Sequence, residues 1–347
     1  MDVTELQQIV DQADDALLLR TVDGLASARD WDLLEILGER CLQAVEMGRQ
    51  LWGVAMHVDY RLALEAPPAH AARAAERGSS RFTLGPLTEV AAGAHDWPRL
   101  DPHLHDPVVR ATIAHERMLR GDAIPAGAVD AERAALPLRS LPWEPRYALP
   151  AYRDRSAKFP QPEAAVRHVA LDRNTLSGAE GFEDETTDAL RDVVRAWWTT
   201  SAGSADAVGV EGEAATAVST LLAGRSDRIG LLPLDAAEAL AVLQWCGASG
   251  GAYGPRPGGA AGRFSAWWAA AAVAGLDWPE RVPDDDWCAA LDGGIQGLRW
   301  YRWAGSDLET GWMLRLAVED PDEGLAWAVD AHDQRDDDPE DAAADET

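Results

Sequence analysis

Lysine is almost absent from this chain. Among its 347 residues Lys158 is the only one, so a Schiff base or the lysine of a Walker A phosphate loop would have to use it. It stands in Arg155-Ser156-Ala157-Lys158-Phe159-Pro160, an extended, loop-like stretch that suits neither chemistry. Cysteine is scarce as well: Cys41, Cys246 and Cys288 lie far apart, with no CxxC spacing. A disulfide framework needs a dense, even set and a structural zinc site needs paired ligands, so these three read as reduced thiols. No apolar run is long enough to cross a bilayer, the longest uncharged one being residues 264–276. The start, Met1-Asp2-Val3-Thr4-Glu5, is acidic and lacks the basic-then-apolar order of a signal peptide. The expectation is a cytoplasmic protein with no place in a membrane.

Positive charge is also in deficit. Thirty-one basic residues face 59 acidic ones, a formal net charge of −28. Binding to a phosphate backbone draws its affinity from Lys and Arg displacing counterions, so nucleic acid and anionic membrane are excluded as partners except at a local basic patch. Residues 330–347 carry nine acids and one arginine, and residues 331–347 read as a disordered acidic tail, either a docking arm for a basic partner or a solubilising end.

What remains is globular: 47% hydrophobic residues over a length that accommodates two domains. Residues 1–139 read as helical hairpins. Trp31, Leu34, Leu37, Cys41, Leu42 and Val45 form one apolar stripe that ends at Gly48, and Leu51, Val54, Ala55, Val58, Leu62 and Leu64 form the next, stopped by Pro67-Pro68. Further helices are expected at 69–77, 84–95, 106–120 and 128–136, a solenoid-like arrangement without a fixed repeat. Residues 140–162, with five prolines among Trp143, Tyr147, Tyr152 and Phe159, read as an extended connector packed on one or both domains. Residues 163–330 alternate: a strand at 164–171, a helix at 183–199, a strand at 206–211, a helix to Leu222, a strand at 228–232, and a helix from the cap Asp235 to Cys246. Three segments of period two around Trp300, Leu314 and Trp327 then close the domain as an antiparallel meander. The fold class is α+β overall, with an all-α N-terminal half and an α/β C-terminal half.

Three constellations could carry chemistry. Residues 247–263 hold seven glycines with Arg256 and Arg263 as the only charges, ahead of a helix expected at Phe264. Backbone amides at Gly258, Gly259 and Gly262, a helix N-terminus and two guanidinium groups could cradle an anion. Against this, a helix precedes the segment where a phosphate loop has a strand, and neither GxGxxG nor GK[ST] is present, so a linker competes. The GxSxG match at Ser249 fails for the same want of a strand. His95, His103, His105 and His115 lie among acids, but His115-Glu116-Arg117-Met118-Leu119 has leucine where HExxH needs its second ligand, so no metal is expected. Fifteen tryptophans, paired at Trp197-Trp198 and Trp267-Trp268, read as core or as an aromatic surface.

The phrases Gly85-Pro86-Leu87-Thr88-Glu89-Val90, Ala114-His115-Glu116-Arg117-Met118-Leu119-Arg120-Gly121, Ser249-Gly250-Gly251-Ala252-Tyr253-Gly254 with Gly262-Arg263, and residues 311–321 from Gly311-Trp312-Met313 to Glu319-Asp320-Pro321 together resemble an uncharacterised protein family of high-GC bacteria. The resemblance spans most of the chain outside the tail and implies no activity. Helical hairpins, surplus aromatics and acidity point to a protein that binds other proteins, with no catalytic residue and no cofactor. The alternative is a small-molecule, nucleotide or phosphate-binding enzyme centred on residues 247–263.

Overall fold

Aspartates and prolines set the helix boundaries of the first half. The computed structural model describes residues 1–78, 83–173, 178–223, 228–307 and 309–335. Helices α1 (Val3–Gln12), α2 (Asp15–Ala28) and α3 (Trp31–Glu46) each start after an aspartate, Asp2, Asp14 and Asp30, whose carboxylate accepts otherwise unpaired first-turn amides. Gly48, at φ +94°, ends the α3 turn as expected. Then come α4 (Trp52–Glu65), α5 (Pro68–Arg77), α6 (Leu87–Ala94), α7 (Trp97–Leu100), α8 (Pro107–Leu119) and the single turn α9 (Ala131–Ala134). That turn is all that forms of the helix expected at 128–136, where Pro137 follows closely.

Helix α4 touches α2, α3, α5 and α6, so the hairpins share one core around it. The stripe from Leu51 to Leu62 is buried as read and Leu64 partly so, but Asp59, Tyr60 and Arg61 on the remaining face are buried too. Most of this polar surface is paired: Arg77 donates to one Asp59 oxygen at 2.6 Å, and Arg61 donates to Asp23 and Glu65 at 2.7 Å each, while the other Asp59 oxygen is buried without a hydrogen bond.

The connector packs on both halves. It carries β1 (Ala151–Tyr152) and β2 (Ala157–Lys158), an antiparallel pair. Tyr60 of α4 donates to the Arg153 carbonyl, and the Trp143 ring lies 4.8 Å from that of Trp267 in the second half.

The strand expected at 164–171 is instead the short helix α10 (Glu163–Val166), because Pro162 fixes an N-cap and two alanines follow. Next are β3 (Asp172–Arg173), β4 (Gly181–Phe182), α11 (Glu185–Asp192), α12 (Arg195–Thr199), β5 (Ser204–Glu211), α13 (Ala214–Leu222), β6 (Arg228–Leu234), α14 (Ala236–Ala248), α15 (Gly259–Val273), α16 (Asp285–Gly297), β7 (Arg299–Ala304), β8 (Trp312–Asp320) and β9 (Leu325–Asp333). The helix read as 183–199 is thus two, broken at the buried β-branched pair Val193-Val194. Helices alternate with strands, yet every pairing is antiparallel, in the order β3-β6-β7-β8-β9-β5-β4.

Strand alternation gives this sheet two cores. Trp300, Leu314, Leu316, Val318, Trp327 and Val329 face α11, α14, α15 and α16, while Trp303, Ala317, Ala326 and Ala328 face α13. Both faces of β7 therefore hold an aromatic ring, as its consecutive aromatics require.

The body extends past the expected tail boundary at residue 331. Ala331 and Asp333 are buried in β9, and an Asp333 carboxylate oxygen accepts the Ala252 amide at 2.6 Å. The acidic run 336–347 lies outside the described residues. A chain ending at Arg335 should keep the wild-type melting temperature, since the run it loses has, apart from Pro339, no apolar side chain larger than alanine. A chain ending at Asp330 should lose several degrees, because it removes buried pairing with β8 and β5. Calorimetry on both truncations checks this.

Candidate functional site

Residues 247–263 form the joint between the halves. Helix α15 starts at Gly259, inside the glycine-rich stretch and five positions before the expected start at Phe264. The run Gly258-Gly259-Ala260-Ala261-Gly262 has poor helix propensity but meets other parts of the chain that leave no room for side chains. A Cβ on Gly262 would lie 2.3 Å from the Gln244 carbonyl oxygen and 2.7 Å from the Ala248 nitrogen, so this glycine sets the close crossing of α14 and α15. Gly258 caps the helix at φ +101°, where only glycine is unstrained.

The orphan amides at this helix start do meet anions, and the chain itself supplies them. Gly259 N–H donates to Glu89 of α6 at 3.0 Å, and Ala260 N–H donates to Glu116 of α8 at 2.7 Å. Arg256 grips Glu89 with Nε at 2.8 Å and Nη2 at 3.1 Å, and the Tyr152 hydroxyl adds a third donor at 2.6 Å. Glu116 also receives Arg120 Nη1 at 2.7 Å. Glu89 and Glu116 are 0% and 1% exposed. Burial alone would raise the Glu89 pKa, but the charge and hydrogen bonds of Arg256, with Tyr152 and Arg120, outweigh it and hold the group ionised. Glu116 goes the other way: burial first, then the charge of Glu89, push it up against the pull of Arg120.

Arg263 stands elsewhere. It is fully buried in the second turn of α15, away from the helix mouth where it was expected, and Phe264 begins no helix. Its Nε and Nη2 bind Glu144 of the connector at 2.7 and 2.8 Å, and Pro137 and Arg139 carbonyls accept from it at 2.9 and 3.1 Å. Its guanidinium also lies 5.0 Å from the Trp267 ring centroid. The two arginines therefore do not converge on a common volume, and each is paired with a carboxylate of its own.

Ser249 does not form a nucleophile elbow. It follows α14, its hydroxyl oxygen accepts the Gly251 amide at 3.2 Å, and no imidazole bonds to it among the described residues. The four histidines are dispersed: His95 and His115 are buried, His103 is half-buried and His105 is exposed. Among the described residues no three His, Cys, Asp or Glu side chains gather as a metal site would require. His115 Nε2–H donates to the Ala134 carbonyl, and burial, then the nearby Arg263 charge, hold its pKa down to about 4.

A cleft of about 740 Å³ opens beside the joint. Its apolar wall is Val193, Ala196, Pro255, Pro257, Phe264 and Trp268, and its polar groups are the hydroxyls of Thr199, Thr200 and Ser265 with Asp192, Arg195 and Arg256. Trp268 is 40% exposed, whereas its neighbour Trp267 is fully buried, so the tandem tryptophans divide between surface and core. Sequence reasoning missed Glu89, Glu116 and Glu144. One signal was available for the first: α6 is otherwise apolar or small over Val90, Ala91 and Ala92, and a lone carboxylate there needs a buried partner.

The chain belongs to a family of unknown function, DUF6183, whose model matches residues 16–335. No curated protein and no solved structure matches it. Among the described residues no helix is long and apolar enough to cross a membrane.

Two outcomes follow from the buried charges. Glu89→Gln and Arg256→Met should each lower stability by about 3–5 kcal/mol, with the double variant less impaired than their sum, as denaturant midpoints in a double-mutant cycle would read. For His115, the unfolded chain takes up a proton near pH 6.5 and the folded chain resists until about 4. Stability should therefore fall by about 2 kcal/mol between pH 7 and 5 through this residue. His57 and His95, also held down chiefly by burial, add to that slope. His115→Gln should flatten part of it in a titration of melting temperature against pH.

Proposed function

From a family that brings no activity with it, we propose that this chain is a cytoplasmic binding protein whose cleft between α12 and α15 receives a segment of another protein. The observation that carries this reading is the engagement of Arg256 and Arg263 with Glu89 and Glu144. Cations that an anion-handling enzyme would turn toward a substrate are here neutralised inside the fold. The neighbouring cleft instead offers an exposed indole, two prolines and three hydroxyls, a wall suited to apolar side chains with a polar rim. The buried cysteines fit a reducing compartment: burial raises all three thiols, Cys41 to about 12. The net charge of −28 disfavours nucleic acid.

Ala261 lines the cleft and is exposed, so Ala261→Trp should fill the space without disturbing the core. A protein captured by the wild type and then purified should bind this variant at least tenfold more weakly in a direct titration. Equal binding by both, or a melting temperature raised by nucleotides or sugar phosphates and not by any protein, would overturn the reading in favour of a small-molecule site.

A further inference from the structure

The chain repeatedly uses one device to place an indole: a carboxylate fixes an arginine over its face. Arg263, held by Glu144, lies 5.0 Å from the Trp267 ring. Arg315, held by Asp330 and Asp307, lies 4.8 Å from the Trp303 ring. Cation and ring attract because the indole face is negative, and the carboxylate keeps the cation in position.

At the outer end of the cleft the same ring and acids recur. A second hollow of about 310 Å³ adjoins the first through Asp192 and Trp268, which line both. One wall is α15 and the segment after it, with Trp268, Leu276, Asp277 and Trp278. The other is the outer face of α11, where Glu185, Asp188 and Asp192 succeed one another at helical spacing. The Trp268 and Trp278 rings lie 5.3 Å apart, tilted at 48°, and among the described residues no arginine lies over either. The four carboxylates of this hollow have no cation among its lining residues. Arg191 and Arg195 pair with Asp188 and Asp192 from outside it, which leaves Glu185 and Asp277 without an ion pair among the described residues.

We infer that this hollow takes an arginine side chain of the partner protein, the guanidinium lying on Trp268 and Trp278 against Glu185 and Asp277, while an apolar residue of the same segment enters the larger cleft. This rests on the reading of the cleft as a protein-binding site and adds the partner's chemistry to it. Charge complementarity fixes the occupant: an acidic or neutral segment would leave Glu185 and Asp277 covered and unpaired, whereas arginine supplies a flat, weakly hydrated cation that stacks and bonds at once. Trp268, shared by both hollows, sets the spacing between the two anchors.

The test uses the full chain and fluorescein-labelled capped peptides that carry one leucine and two arginines, compared with analogues in which glutamine replaces both arginines, followed by anisotropy at about 0.15 M salt. The arginine peptide should bind at least tenfold more tightly than the glutamine analogue. That preference should vanish in the triple variant Glu185→Gln, Asp188→Asn, Asp277→Asn. It should persist in the control Glu39→Gln, Glu46→Gln, Glu323→Gln, which removes the same charge from exposed positions elsewhere. Trp268→Ala should weaken both peptides. Equal affinities for arginine and glutamine peptides, with Ala261→Trp still abolishing binding, would overturn the arginine site and leave the cleft standing. A preference lost equally in the control triple would reduce the effect to net charge and overturn it too. Binding unaffected by Ala261→Trp would remove the cleft reading itself.

Discussion

Glu89 is the point on which the two halves meet. Its carboxylate leaves the helical half on α6 and accepts from Arg256 and the first amide of α15, three residues apart, and from the connector's Tyr152, so two segments distant from α6 and from each other in the sequence converge on two oxygen atoms. The glycines at 258 and 259 ease this approach: Gly258 takes a φ of +101°, and a Cβ on Gly259 would lie 3.1 Å from a Glu116 oxygen, which would have to give way. A buried ion pair of this kind adds little net stability over apolar residues of the same size, but each half alone would hold an uncompensated charge. Its effect is to specify one docking geometry. Glu116 adds a second carboxyl at the same helix terminus, its pKa pushed up by burial and by the charge of Glu89 and drawn back by Arg120 and the Ala260 amide.

Much of the fold was legible because local pattern and burial agree. The α3 stripe, the cap at Asp235 with its reciprocal bonds to Glu238, and the alternation of β7, β8 and β9 each express a period that the tertiary structure leaves intact. Misreadings fall where long-range contact overrides local preference. Gly258 to Gly262 read as linker because glycine is a poor helix former, whereas the actual demand is room for Gln244, Ala248, Glu89 and Glu116, all distant in sequence from some part of the segment. The segment 164–171 carried only weak alternation, and one proline at its head was enough to turn it into a helical turn.

The candidate site was half visible. Arg256 and Arg263 stood out as the only charges in a glycine-rich stretch, and both turned out to be structurally committed, yet their partners are 167 and 119 residues away. No spacing rule pairs residues at that range, and a single sequence offers no covariation to do so. The scarcity of lysine gains a meaning here. Arginine's planar fork makes the two-pronged bonds to Glu89 and Glu144, which an ammonium could not do, and places a weakly hydrated cation over Trp267 and Trp303.

The strand order has a kinetic consequence. Strand β9 lies between β8 and β5, so the antiparallel pair of β4 and β5, made from residues 181–211, cannot join β6, β7 and β8 until residues 325–333 have been synthesised. During translation the β5 edge and the apolar face of α13 stay open for more than a hundred residues of elongation, several seconds or longer at about 5–20 residues per second. The helical half, built from short-range contacts, can fold in that interval, and the sheet then closes in one late step around its last strand. A ribosome stalled before β9 would therefore present a folded helical half joined to an unfinished sheet with an unpaired edge, the form of this protein most exposed to misassembly and most in need of a chaperone.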